Sequence, residues 1–348
     1  MTTFKPLAGL KVLEFDAIGP VPFCAMMLAD HGAEVIRLLR PGGQPNGLDA
    51  GDDDMLLRGR AQEIALDLKS DAGRARALAL LAEVDVLLEG HRPGVMERLG
   101  LGPDACHAQN PALVYCRITG YGQTGPLAMN PGHDINYIAQ TGALHAIGPA
   151  DLPPPPPLSL IGDFGGGGML GAFGVLAAVF AARSTGKGSV IDTAMVDGAA
   201  LQMALTYGWA NAGLWNSQRE SNVLDGGAPF YRCYQTADDR YIAAGALEPK
   251  FYQAMRHALG LTDPIFDDQM NGENWPEMSA RISAKILKMD HDELDAAVDM
   301  PDACLSWVVS IEDAGKRGHL VERQSLVRKG EKTHVSAAPR FQRPDISE

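Results

Sequence analysis

Cysteine is scarce and poorly placed for cross-linking. The five in the chain, Cys24, Cys106, Cys116, Cys233 and Cys304, are odd in number and include no C-x-x-C pair. That argues against a disulfide framework or a thiolate metal site and fits a reduced, intracellular compartment. Positive charge is also short, with 30 Lys and Arg against 43 Asp and Glu and a formal net charge of −13. No concentrated basic face is available for nucleic acid, and an anionic ligand would need a local patch of arginines. The turn after the first expected strand, Asp16 to Pro22, holds Gly19 alone and two prolines. It lacks the three glycines of a dinucleotide turn, which disfavours nicotinamide. The N-terminus has no charged stretch feeding an apolar run, and the last three residues are neither a peroxisomal nor a retention signal, so a cytoplasmic location is expected. One uncharged run, Phe164 to Ala182, reaches 19 residues. Its opening glycines, the Asp163 before it and the lack of a second such run read as a core helix over about Met169 to Ala182, with no membrane partner.

What is present alternates. Leu10–Phe15 and Glu34–Leu39 read as strands around a helix over Pro20–Asp30 with proline in its first turn. Ser70 caps a helical run ending near Val84, Asp85–Glu89 returns to strand, Pro93–Leu99 is a short helix, and Ala112–Ile118 is another strand. Such alternation predicts an α/β fold with a Rossmann-like parallel sheet, ligands collecting at the carboxyl ends of its strands. Thr193 to Asn216 reads as helical, and Tyr231–Gln235 with Arg240–Ala244 as a hairpin. The expected division is a large domain over 1–195 with 325–348 packing back on it, a linker helix over 196–224, and a smaller α+β domain with its return linker over 225–324.

Two segments carry the chemistry, PGHDINY at 131–137 and IGDFGGGG at 161–168. They place an imidazole, His133, and a carboxyl, Asp163, in glycine-rich surroundings, a pairing suited to two-base proton transfer. His133 precedes a helix start, where the helix dipole favours the neutral ring and nearby amides can hold an oxyanion. Asp163 reads structurally as an N-cap for a helix from Gly165. Four glycines are costly in a helix, and close approach of a ligand to bare backbone is the expected reason. Glu248, before Pro249, reads structurally as a cap carboxylate. Arg37, Arg40, Arg58, Arg60, Arg92 and Arg98 form either an anion patch or solvated surface.

At these residues the chain resembles the alpha-methylacyl-CoA racemase branch of the family III CoA-transferases, the CaiB/BaiF superfamily. The likeness runs through nearly its whole length in PLAGLKVLEF, ALDLKS, DVLLEGHRPGVMERLGLG, RITGYGQTGP, PGHDINY, GDFGGGG, GKGSVIDTAMVDG, LDGGAPFY and ALEPKFY. The resemblance implies His133 as base, Asp163 as acid/base and Glu248 as the carboxylate paired with the histidine. It implies that Arg40, Leu66, Asp67, Leu68, Lys69, Gly90, His91, Arg92 and Arg98 hold the CoA nucleotide. Gly132, Asp134, Ile135, Asn136 and Tyr137 would complete the thioester segment around His133. His91 stands where relatives often carry an aromatic residue. The family further implies an interlocked homodimer with shared active sites, an acyl-CoA substrate and no separate cofactor or metal.

The implied reaction is inversion at C2 of a 2-methylacyl-CoA through an enolate, part of fatty-acid metabolism. Two rivals compete. A family III CoA-transferase would use Asp163 as a nucleophile, but such enzymes carry a mobile glycine-rich loop where this chain has Gly245-Ala-Leu-Glu-Pro249. A non-catalytic CoA-binding protein would not need His133, Asp163 and Glu248 together.

Overall fold

The computed structural model describes residues 4–42, 54–316 and 318–342. The described residues up to Thr119 form the parallel strands that the alternation predicts, β1 (Lys11–Phe15), β2 (Glu34–Leu39), β4 (Val86–Glu89) and β5 (Val114–Thr119), and one that it did not, β3 (Arg60–Ala65). A sixth strand, β6 (Ser189–Ala194), completes a sheet of order β3-β2-β1-β4-β5-β6, parallel throughout. The order reverses between β1 and β4, which in doubly wound sheets opens a crevice at the strands' carboxyl ends. β4 and β5 are buried along their full length, as a sheet covered on both faces requires.

The helices follow the expected starts. α1 (Pro20–Asp30) carries proline at its N-terminus, and α2 (Asp71–Leu81) is capped by Ser70, whose Oγ accepts the Gly73 N–H at 3.0 Å. Next come α3 (Val95–Arg98), α4 (Pro103–Gln109), α5 (Asp134–Ala139), α6 (Ala143–Ala146), α7 (Leu170–Thr185), α8 (Met195–Gln202) and α9 (Ala204–Asn211). One face of the sheet packs Val12, Val86, Val114 and Cys116 against α1 and α7; the other packs Leu13, Leu87 and Tyr115 with Leu81 of α2 and Met96 of α3.

Two expectations need correction. Ser189–Ala194 is strand, so the helical reading from Thr193 began too early: its β-branched Val190, Ile191 and Thr193 pair with β5 before the Ala- and Met-rich helix begins. The Gly-rich run does not lead into a helix capped by Asp163. Leu160–Met169 is a ten-residue π-helix with Ser159 at its N-cap, and Asp163 stands inside it. The π-helix continues into α7, and Leu160–Thr185 is long and apolar enough to cross a membrane by length and composition. Here Ala172, Val175, Val179 and Ala182 are buried in the core.

The chain divides in two. It forms two compact units, one comprising the described residues up to Ala143, Pro157–Ala204 and those after Lys316, the other Leu144–Pro156 and Leu205–Lys316. The prolines at 153–156 and residues 205–224 belong to the second unit. Within the first unit, His31 Nε2 lies 2.9 Å from the Pro339 carbonyl and its ring meets Phe341 edge-on. The second unit holds an antiparallel sheet, β7 (Tyr231–Gln235), β8 (Tyr241–Gly245) and β9 (Leu305–Val308), with α10 (Pro249–Ala258), α11 (Trp275–Ile286) and α12 (His291–Asp299). Its own core is built on Phe230, Tyr252, Phe266, Trp275 and Ile282.

Candidate active site

β1 runs out into Asp16–Gly19, at the point where the strand order reverses. Gly19 adopts φ 68° and ψ −110°, a conformation open to glycine. A Cβ there would stand 3.2 Å from Oδ2 of Asp163, so the bare backbone lets the carboxylate lie against the start of α1.

The glycines that follow Asp163 serve the protein itself. A Cβ on Gly166 would be 2.9 Å from the Ala199 nitrogen and the Met195 carbonyl oxygen of α8, and one on Gly198 would be 2.1 Å from the Gly166 carbonyl oxygen. Gly167 fits between Met195 and Pro20, and Gly168 lies under Phe23, whose ring stacks on Phe164 at 4.6 Å. Gln202 Nε2 donates to the Ile161 carbonyl at 3.0 Å. The expectation that a ligand approaches this backbone is thus replaced by helix-on-helix contact. The cost of the glycines is offset by packing that any side chain would prevent.

Asp163 is partly buried, and its carboxyl is pushed up to about 6. Burial is the main cause and the Asp134 carboxylate the second, against the pull of His133 and a hydrogen bond from Ser159. Asp134 is itself buried, and its Oδ2 accepts the N–H groups of Gly162 and Asp163, each at 2.7 Å.

His133 is exposed at the N-cap of α5, and its backbone N–H donates to Asn136 Oδ1 at 3.1 Å. Tyr137 fixes the preceding turn: its hydroxyl donates to the Gly132 carbonyl, and its ring fills the space where a Cβ of Gly120 or Gly132 would stand. Tyr121 meets this ring edge-on at 5.0 Å. Burial first, and Asp163 next, push the Tyr137 phenol to about 12, so it remains a neutral donor. Ile135 is exposed on the same short helix.

The residues expected to hold a nucleotide follow β2, β3 and β4. Arg40 is exposed just beyond β2. Asp67 Oδ1 accepts the Lys69 N–H at 3.0 Å in the turn before α2, while Leu66 and Leu68 pack on the core. Gly90 lets the loop after β4 lie against α1 and β5: a Cβ there would be 2.9 Å from Val21 and 3.3 Å from the Ile118 carbonyl oxygen. His91 donates its backbone N–H to the buried Glu89 carboxylate at 2.6 Å, and its Nδ1 is 3.6 Å from the same oxygen. Arg117 Nε, 3.3 Å from Glu89, balances that charge.

Half of the arginine patch is internal structure. Arg37 pairs with Asp16 and Glu63, Arg58 with Asp30, and Arg60, almost fully buried, grips Glu14 through two bonds of 2.8 and 2.9 Å. Arg40, Arg92 and Arg98 form no ion pair among the described residues and remain available to an anion.

Glu248 lies in the second unit, exposed at the N-cap of α10. Its side chain makes no cap hydrogen bond, contrary to the structural reading of this residue. Behind burial, its charge helps hold the Cys304 thiol above the usual range. A cavity of about 680 Å³ in this unit is lined by Glu220, Tyr231, Arg232, Cys233, Gly245 and Cys304 among others, and by none of the three expected acid/base residues.

The profile of CoA-transferase family III matches residues 7–345. Alpha-methylacyl-CoA racemase of Mus musculus is 41% identical over 93% of this chain and 83% of its own length; that of Homo sapiens is 41% identical over 96% and 85%. The crystal structure of Rv3272 from Mycobacterium tuberculosis superposes with a TM-score of 0.79 at 26% identity, covering 98% of this chain and 94% of that one.

Proposed function

Because the chain belongs to CoA-transferase family III, we propose that it is a racemase that inverts the C2 centre of 2-methylacyl-CoA thioesters. The observation that carries this reading is Asp163. A carboxyl held near 6 beside an imidazole can exist as either acid or base at neutral pH, as a reversible inversion requires. In one direction the His133 imidazole removes the C2 proton and the Asp163 carboxylic acid returns one to the opposite face of the enolate. In the other the roles exchange. Arg40, Arg92 and Arg98 would hold the CoA phosphates, and Tyr137 would shape the thioester side.

Glu248 takes the part of the carboxylate that supports the imidazole, supplied by a second copy in a homodimer. Large apolar side chains are exposed along one stripe of the π-helix and α7, with Met169, Phe173, Leu176 and Phe180 at helical spacing. A stripe of this kind calls for a covering partner. Sedimentation should give a dimer, and mixed dimers of His133→Ala and Glu248→Ala chains should regain part of the activity.

Each enantiomer of a 2-methylacyl-CoA, incubated with the enzyme in D2O, should gain deuterium at C2 while losing optical purity. CoA transfer to a free carboxylate without C2 exchange would establish the transferase in its place.

A further inference from the structure

We infer that Asp134 is the positioning residue for Asp163, its buried carboxylate anchoring the backbone that carries the reacting carboxyl. This deepens the racemase reading and rests on it only for its catalytic consequence. An acidic residue in the first turn of a helix ordinarily serves its own helix end. Asp134 instead reaches a segment 28 and 29 residues away, where Oδ2 accepts two amides at once.

Those amides need an acceptor. The first π-helical bond runs from the Phe164 N–H to the Ser159 carbonyl five residues back. The N–H groups of Gly162 and Asp163 precede it and have no helical partner. A Cβ on Gly162 would lie 2.9 Å from Asp134 Oδ2, so glycine is what admits the carboxylate to this position. Asp134 is 4% exposed and its Oδ1 is buried without a hydrogen-bond partner. Its charge acts on Asp163, which it helps to keep protonated.

The other groups acting on Asp163 pull in the opposite direction. His133, at the start of α5, and the Ser159 hydrogen bond favour the ionised carboxylate. Tyr137, on α5, interacts with it as a neutral phenol, and the backbone of Gly19 lies against it at the start of α1. Asp134 thus supplies both the anchor and the like charge that keeps the proton within reach.

The test uses the full chain without substrate. The Asp163 carboxyl resonance, in protein labelled with ¹³C at aspartate and assigned by its loss in Asp163→Asn, is followed through a pH titration. Asp134→Asn keeps an oxygen acceptor for the amides and removes the charge; it should lower the Asp163 midpoint by roughly one pH unit. Asp134→Ala removes the acceptor and should speed hydrogen exchange at the Gly162 and Asp163 amides about tenfold or more, the loss of one anchoring bond. An unchanged midpoint in the Asn variant, or unchanged amide exchange in the Ala variant, overturns the inference. Should the Ala chain fail to fold, the Asn titration decides alone. No readout requires turnover, so failure of the racemase reading would appear separately as absence of C2 deuteration in the unaltered enzyme.

Discussion

The two segments that carry the proposed bases are built in opposite ways. His133 stands exposed at the mouth of a six-residue helix, fixed by Asn136 and by a turn that Tyr137 covers. Asp163 rides on a π-helix whose glycines are pressed against α1 and α8, with a second carboxylate beneath it. The fold therefore sets the proton affinity of the aspartate from within, through burial and the Asp134 carboxylate. A pair of bases that must exchange roles needs matched affinities, and the protein interior brings the carboxyl of Asp163 up toward that match.

The largest effects should come from the bases themselves. His133→Ala and Asp163→Ala should each lower racemisation about 10³-fold or more, with deuterium exchange lost chiefly from one enantiomer in the first and from the other in the second. Equal residual exchange from both enantiomers would break the division of labour. Next is the framework under Asp163. Gly198→Ala places a methyl 2.1 Å from the Gly166 carbonyl oxygen and should cost about 3 kcal/mol of stability, read from the urea midpoint. A near-neutral result would show that the π-helix can yield.

On the exposed side, Arg40→Ala should raise KM for the acyl-CoA about tenfold while kcat changes less than about threefold, the mark of uniform binding. A collapse of kcat at saturation would move Arg40 into the chemistry. The smallest effect tests the interior tuning through stability. The folded Asp163 binds its proton more tightly than the unfolded chain, with a midpoint near 6 against 3.8. Stability is then present in full below the lower value and falls as pH rises through the window between them. Asp163→Asn should be more stable than the parent above pH 6, by on the order of 1 kcal/mol once partial solvent screening is allowed for. The difference should vanish below about pH 4, and a pH-independent difference would refute the coupling.

Much of the large unit was legible because its signals are local. Pro20 at a helix start, Ser70 at a cap and the buried apolar runs of β1, β4 and β5 each declare their element within a few residues. The hairpin of β7 and β8 was readable from its turn at Asp238 and Asp239 for the same reason. The π-helix was not, because no periodicity distinguishes ten residues wound at five per bond from a glycine loop leading into an α-helix. The purpose of its glycines lies in α8, about thirty residues further along, and in α1, more than a hundred residues back. His133 and Asp163 could be singled out by residue type and setting, but Asp134 could be named only as a neighbour of His133. Its reach to the Gly162 and Asp163 amides is a tertiary fact. The arginines show the same limit, since a sequence gives Arg37, Arg58 and Arg60 the same appearance as Arg40 while the fold commits the first three to carboxylates.

The contact between Gly166 and Gly198 also has a genetic meaning. Every missense change in a glycine codon adds at least a Cβ, and at these two positions the atoms in the way are backbone. Drift is closed there, and with it any gradual re-aiming of the Asp163 carboxyl. Position 133 carries no such restriction. Descendants of this chain that turn to different chemistry can do so by rewriting the exposed position 133, and the aspartate will be found where it already stands.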